Sequence, residues 1–244
     1  MAVSGPMVCE NILVLWLVLL LLIDLLSGST SVDRNLSSMT HQWTGIFGVI
    51  LAYLLGAIPF GYLFVRLKQG MDIRAVGSGN IGATNVLRAT GRSAALLTLA
   101  LDTAKGCWAV FGTSYFTHQD RRFIALAAGA VLLGHAFPIY LKFKGGKGAA
   151  TAMGVFLYLA TLPVLGSMMI FLVVVAIWRF VSLGSILGAA AFPILYFLMD
   201  YRQDPSFWTL LAAVFCSCLV IFRHKDNIKR LAAGTENKLT GLKK

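Results

Sequence analysis

Apolar residues in this chain arrive in long unbroken runs separated by short polar connections. The runs read as Thr44–Leu67, Ser93–Phe116, Phe123–Leu141, Ala149–Thr161, Val164–Trp178, Leu183–Met199 and Phe207–Phe222. They are continuously apolar and do not alternate, so they predict helices and not the strands of a barrel. The fourth and fifth are short, with Pro163 between them. An earlier run, Asn11–Leu26, is also short for a span and carries Asp24. It is preceded by Glu10 and no basic residue, so it lacks the basic leader of a signal peptide. The polar stretch Ser27–Gln42 follows it. The pattern therefore divides the chain into an N-terminal extension (1–43) with room for one extra helix, a seven-span membrane domain (44–222) and a basic tail (223–244). The fold class expected is an all-α polytopic membrane protein with seven transmembrane helices and cytoplasmic active-site loops.

Composition agrees. Of 244 residues, 58% are hydrophobic and 13% charged, about half the charged share of a soluble protein. So few polar side chains could not cover a soluble fold of this size. The 24 glycines suit tightly packed spans.

Net charge is +11, and its placement narrows the partner. The connections holding Arg66, Lys68, Arg74, Arg88, Arg92, Lys142, Lys144, Lys147 and Arg179, together with the tail, carry 16 of the 21 basic residues. The opposite connections hold only Arg121, Arg122 and Arg202. The basic side is expected in the cytoplasm, with residue 44 outside. A nucleic-acid partner is not indicated, and anionic lipid or an anionic substrate fits better. The four cysteines, Cys9, Cys107, Cys216 and Cys218, form no CxxC pair, which leaves neither a disulfide framework nor a zinc site.

The longest basic-side loop contains Gly77-Ser78-Gly79-Asn80-Ile81-Gly82-Ala83-Thr84-Asn85. Its glycines satisfy G-x-G-x-x-G, but no strand precedes them and no βαβ unit surrounds them, so a dinucleotide fold is excluded. What remains is a bent backbone whose N–H groups could form an anion nest. Ser78, Asn80, Thr84 and Asn85 add neutral donors, and Arg88 adds a guanidinium able to grip phosphate. The plainer alternative is a solvated turn between helices.

The second connection reads Lys142-Phe143-Lys144-Gly145-Gly146-Lys147-Gly148. Gly148 stands where a nucleotide-binding loop needs Ser or Thr, so nucleotide hydrolysis is not indicated. Gly145, Gly146 and Gly148 nonetheless present Lys147 at a helix start, a favourable place for an anion. His135, among apolar residues, reads as a structural histidine. A third segment holds Arg179, Ser182 and Ser185, with Gly184 and Gly188 spaced for close helix packing. In the tail, His224, Asn227 and Ile228 have the spacing of one helix face, ahead of Glu236. Asp102 and Lys105, three apart in the second span, are expected to pair, in either a structural or a catalytic role. No His-x-x-x-x-Asp dyad or Gly-x-Ser-x-Gly elbow occurs, and covalent acyl-enzyme chemistry is poorly supported.

Together these segments resemble the bacterial acyl-phosphate:glycerol-3-phosphate acyltransferase family known as PlsY. The resemblance rests on Gly56-Ala57-Ile58-Pro59-Phe60-Gly61, Gly77–Asn85 with Arg88, Gly134–Gly148, Val181–Ser185 and the tail from Arg223 to Glu236. It spans residues 44–240 and leaves the first 40 without a counterpart. It implies transfer of a fatty acyl group from acyl phosphate to the 1-hydroxyl of sn-glycerol 3-phosphate. Lysophosphatidic acid and phosphate are the products, in phospholipid biosynthesis at the bacterial cytoplasmic (inner) membrane. No cofactor or metal is implied. Partners would be the two substrates and membrane lipid, with a monomer or other lipid-synthesis enzymes as the wider context.

Under that resemblance Ser78, Arg88, Lys147, His224 and Asn227 carry the catalytic roles. Gly77, Gly79, Asn80, Thr84, Asn85, Gly145, Gly146, Gly148, Arg179, Ser182, Ser185 and Glu236 bind substrate. An acyl phosphate is already activated, so no enzyme nucleophile is required, and two phosphorylated substrates explain two clusters of anion donors. The rival reading is a membrane transporter of phosphorylated anions, although the ionisable groups gather on one face and no inverted repeat is evident.

Overall fold

The computed structural model describes residues 36–203 and 205–239. The chain separates into two units, Met1–Gln42 and Trp43–Lys244. Of the first, only the start of one helix falls among the described residues, and the run Asn11–Leu26 lies outside them.

The described residues are all helical or irregular, with no strand among them. In chain order the helices are α1 (Leu36–Ala57), α2 (Phe60–Gln69), α3 (Ala83–Thr90), α4 (Arg92–Phe116) and α5 (Arg121–Ala136). Then follow α6 (Ala149–Leu159), α7 (Thr161–Trp178), α8 (Val181–Tyr196), α9 (Phe207–Arg223) and α10 (Lys225–Ala232). Five stretches are long and apolar enough to cross a membrane: Met39–Gln69, Arg92–Phe116, Arg121–Leu141, Thr161–Trp178 and Val181–Tyr201. A sixth arises if α9 and α10, bent by 54° at His224, count as one span.

The expected fourth span differs most from the sequence pattern. Helix α6 has 11 residues, which is about 16 Å of rise against about 30 Å of hydrocarbon. The apolar run is interrupted at Ala160, whose extended backbone (φ −157°) separates α6 from α7. The first expected span is also broken, at Ile58–Pro59, because proline has no N–H to continue the helical ladder.

Small residues let the helices approach backbone to backbone. A β-carbon on Gly56 would collide with the Val131 carbonyl, and one on Gly134 with the Tyr53 carbonyl, which fixes α1 against α5. Gly106 and Gly154 do the same for α4 and α6. Gly184 and Gly188 lie against Phe171 and Ser167 of α7, as their spacing predicts. Helix α5, rich in alanine and glycine, is buried along almost its whole length from Ile124 to Ala136. Helices α4, α6 and α9 pack against it, and with α7 and α8 they line a space that the three loops and the tail also reach.

Candidate active site

One cavity of about 730 Å³ joins the loops to the interior of the bundle. Ser78, Asn80, Thr84 and Arg88 line it from the first glycine loop and α3, and Lys147 and Gly148 from the second. Ser182 and Ser185 come from the start of α8, and His224, Asn227 and Glu236 from the tail. The rest of the lining is largely apolar: Leu96 and Leu99 of α4, both exposed, Met153 and Phe156 of α6, Phe171 of α7 and Phe192 of α8. Polar and cationic side chains from the loops thus share one cavity with apolar ones.

A connected set of hydrogen bonds organises the polar end. Lys147 Nζ donates to Asn227 Oδ1 at 2.5 Å. Asn227 Nδ2 donates to Glu236 Oε1 at 2.7 Å, and Ser182 Oγ donates to the same oxygen at 2.8 Å. Arg230 Nε donates to Glu236 Oε2 at 2.7 Å. Glu236 therefore ties α8, α10 and, through Asn227, the Lys147 loop to one carboxylate. The tail can fold back in this way because Gly234 adopts a left-handed conformation (φ 69°) just after α10.

Electrostatics follow from that packing. Burial lowers Lys147 to about 8, with Glu236 opposing the shift and Arg230, Arg223 and Arg88 adding to it. Burial, then the neighbouring Lys147 charge, lowers His224 to about 4, so its imidazole is neutral near pH 7. For Glu236, burial works to raise the carboxyl, but hydrogen bonds from Asn227, Ser182 and Arg230 outweigh it and hold the group below its ordinary value. His224 Nδ1 lies 2.8 Å from the Val220 carbonyl. A carbonyl only accepts, so the neutral ring carries its proton on Nδ1 and offers a lone pair on Nε2.

Several expectations change in three dimensions. Part of the first glycine loop's backbone is engaged within the loop itself, which narrows the N–H groups that could form an anion nest. Ser78 N donates to Asn85 Oδ1, Gly82 N to Asn80 Oδ1 and Gly79 N to the Val76 carbonyl. Asn85 is buried, and its amide bonds to the carbonyls of Ile73, Val76 and Asn80. It is the loop's internal organiser, since a short irregular segment must satisfy its own backbone. Gly77, with φ 61°, sits against the Asn85 amide, where a side chain would not fit.

Gly77, Gly79, Gly145, Gly146 and Arg179 lie outside the cavity lining. Arg179 is exposed, and its carbonyl accepts from Leu239 N at 2.6 Å. Ile228 N donates to the His224 carbonyl at 2.9 Å, so His224, Asn227 and Ile228 keep the expected helical spacing, with the first two buried and Ile228 exposed.

The model of the family described as Glycerol-3-phosphate acyltransferase matches residues 46–234. The chain belongs to the glycerol-3-phosphate acyltransferase family. It is 46% identical over 196 residues to the glycerol-3-phosphate acyltransferase of Trichlorobacter lovleyi, covering 80% of this chain and 97% of the relative. It is 46% identical over 190 residues to that of Syntrophotalea carbinolica, covering 78% and 95%. Among solved structures it is similar to the integral membrane glycerol 3-phosphate acyltransferase PlsY (YgiH) in its glycerol 3-phosphate form. There the TM-score is 0.74 at 38% identity, covering 80% of this chain and 96% of that one. The lysophosphatidic acid form of PlsY gives 0.71 at 36% identity, with coverages of 80% and 95%.

Within this acyltransferase frame, sequence spacing missed Arg223 and Arg230 as parts of the site. Arg223 Nε and Nη2 donate to the carbonyls of Gly146 and Gly145 at 3.0 and 3.1 Å, and its guanidinium lies over Phe137. These pairings span 77 and 78 residues, a separation at which no local periodicity operates. Asp102 and His135 also line the cavity, although both read as interior residues of spans.

Proposed function

We propose that this acyltransferase moves a fatty acyl group from acyl phosphate to the 1-hydroxyl of glycerol 3-phosphate, yielding lysophosphatidic acid and phosphate. The observation that carries the reading is the cavity itself: cationic and hydroxyl side chains from the loops share its lining of about 730 Å³ with a set of apolar side chains that suits a lipid chain. The loop-lined end faces the cytoplasm of the bacterial inner membrane, in a fold of seven membrane-inserted segments after residue 43, one of them the half-length α6.

In this reading Ser78, Asn80, Arg88 and Lys147 hold the donor phosphate, and Lys147 balances the charge that grows on it as the anhydride bond breaks. His224, Asn227, Ser182 and Ser185 orient glycerol 3-phosphate so that its hydroxyl meets the carbonyl carbon. Attack forms the new ester C–O bond, the carbonyl–phosphate bond breaks and phosphate departs. Nε2 of neutral His224 can accept the hydroxyl's hydrogen bond, while the donor's own phosphate becomes a stronger base as the anhydride bond breaks. The proton therefore goes to the departing phosphate, and His224 acts by aligning the hydroxyl. No enzyme acyl intermediate is needed, in keeping with burial of Cys216 and the absence of any cysteine in the glycine loops.

The test is direct. Purified protein supplied with acyl phosphate and labelled glycerol 3-phosphate forms labelled lysophosphatidic acid, and acyl-CoA does not replace the donor. Absence of product, with glycerol 3-phosphate accumulating inside reconstituted vesicles, would remove the reading.

A pH dependence follows from Lys147. In the free enzyme its ammonium is lost as pH rises through about 8, so kcat/KM falls on that limb. Bound phosphate favours the ammonium, and the matching limb in kcat lies higher. Lys147→Arg removes the limb because guanidinium does not titrate there, whereas His224→Asn keeps it. A limb near 8 that survives in Lys147→Arg would assign it to another group.

A further inference from the structure

Ten residues into α4 stands a charge cluster that the proposed chemistry does not use. Asp102, Lys105 and His135 are all buried, exposed by 3%, 1% and 4%. Lys105 Nζ lies 2.8 Å from Asp102 Oδ1 and donates to the carbonyl of Ile58 at 2.9 Å. That carbonyl lies at the break which Pro59 makes between α1 and α2, where it also accepts from Phe60 N at 3.2 Å, so Lys105 adds a second donor at the break. On its other side Asp102 faces His135 Nδ1 at 3.7 Å, within electrostatic range though long for a hydrogen bond.

The far edge of the same imidazole meets the glycine loop. A β-carbon on Gly146 would collide with His135 Nε2, and one on Gly145 would collide with the His135 carbonyl. Gly146 N donates to that carbonyl at 3.0 Å. Opposite, Arg223 holds the Gly145 and Gly146 carbonyls. The dipeptide before Lys147 is thus clamped between an arginine and a histidine, and the histidine is backed by a buried carboxylate. Gly146 has an ordinary φ, since it is not among the glycines with positive values. What the position requires is the absence of a side chain.

We propose that His135, backed by Asp102 and Lys105, is a positioning residue that sets where Lys147 stands by fixing the backbone of Gly145 and Gly146. This rests on the reading of Lys147 given above. A cluster that only stabilised the bundle would change the yield of folded protein without coupling to the turnover of each folded molecule.

The experiment is a cycle of the full-length parent, His135→Ala, Gly146→Ala and the double variant, each purified in detergent and assayed with acyl phosphate and glycerol 3-phosphate. Gly146→Ala is expected to lower kcat about thirtyfold, the scale of a sub-ångström misplacement of a catalytic group, with KM for glycerol 3-phosphate within about twofold. His135→Ala lowers kcat about tenfold. In the double variant the added methyl enters the space the imidazole leaves. The double variant is therefore no slower than His135→Ala alone, a coupling of about thirtyfold relative to independent effects.

A double variant slowed by the product of the two singles, or singles that keep the parent's kcat, would overturn the proposal. Where His135→Ala yields no folded protein, His135→Asn, which is shorter and still polar, takes its place in the same cycle. An inactive parent defeats the acyl-phosphate reading; an active parent with additive variants defeats only the positioning of Lys147.

Discussion

Lys147→Met lowers kcat/KM about a thousandfold while the protein still folds. The scale is that of removing one preorganised donor from a site where negative charge develops. Lys147 fits such a donor on three grounds. It stands just before α6, where the unpaired N–H groups of a helix start add positive potential. It is buried enough for its ammonium to be lowered to about 8, and charges interact more strongly where water is scarce. Its nitrogen is aimed by Asn227. Methionine keeps most of the side-chain volume, so the thermal unfolding midpoint should move by only a few degrees. Activity within tenfold of the parent would mean that the leaving phosphate is stabilised by other groups.

Glu236→Ala has the second-largest effect and acts on folding as well as turnover. Its two oxygens accept from Asn227, Ser182 and Arg230, and Asn227 in turn aims Lys147. Alanine leaves those donors without their shared acceptor, at about 1 kcal/mol or more each. The tail then loses its hold on α8, and kcat falls about a hundredfold, the scale set by loss of alignment in catalytic groups. Glu236→Gln should be milder. Its amide oxygen can still accept from Asn227 and Ser182, but its NH₂ opposes Arg230. Calorimetry and turnover of the two variants check this ordering, and a Glu236→Gln protein as poor as Glu236→Ala would show that charge matters more than geometry.

Much of the polar end was legible in the sequence because glycine, small donors and single cations cluster within short windows. Ser78, Asn80 and Arg88 fall in one such window, and Lys147 and Gly148 in another; all five line the cavity. Membrane helices were legible for a similar reason, since apolar runs have one stable backbone solution in lipid. What could not be read was how polar groups divide between ligand and protein. Asn85 looks like a phosphate donor in a string of donors, yet its amide holds the loop together. Arg223 looks like one more basic residue at a membrane boundary, yet it clamps Gly145 and Gly146. Each distinction depends on a partner far away in the chain. The shortness of α6 was visible in the run Ala149–Thr161, but the break falls at Ala160 and not at Pro163, which lies inside the first turn of α7.

The burial of the second glycine loop bears on a competing reaction. Asp102 lies ten residues along α4 from Arg92, about 15 Å of helical rise, and its neighbour His135 abuts Gly146. Gly146 and Gly148, on either side of Lys147, are both buried. Water is a rival nucleophile for any acyl phosphate and outnumbers every sugar phosphate in the cell. On the acyl-phosphate reading, a carbonyl carbon held beside this buried backbone and the apolar part of the cavity meets few water molecules, while an acceptor gripped by its own phosphate is delivered to it. On that reading the buried loop governs fidelity as well as rate: it sets how much activated fatty acid ends in lipid and how much is lost as free acid.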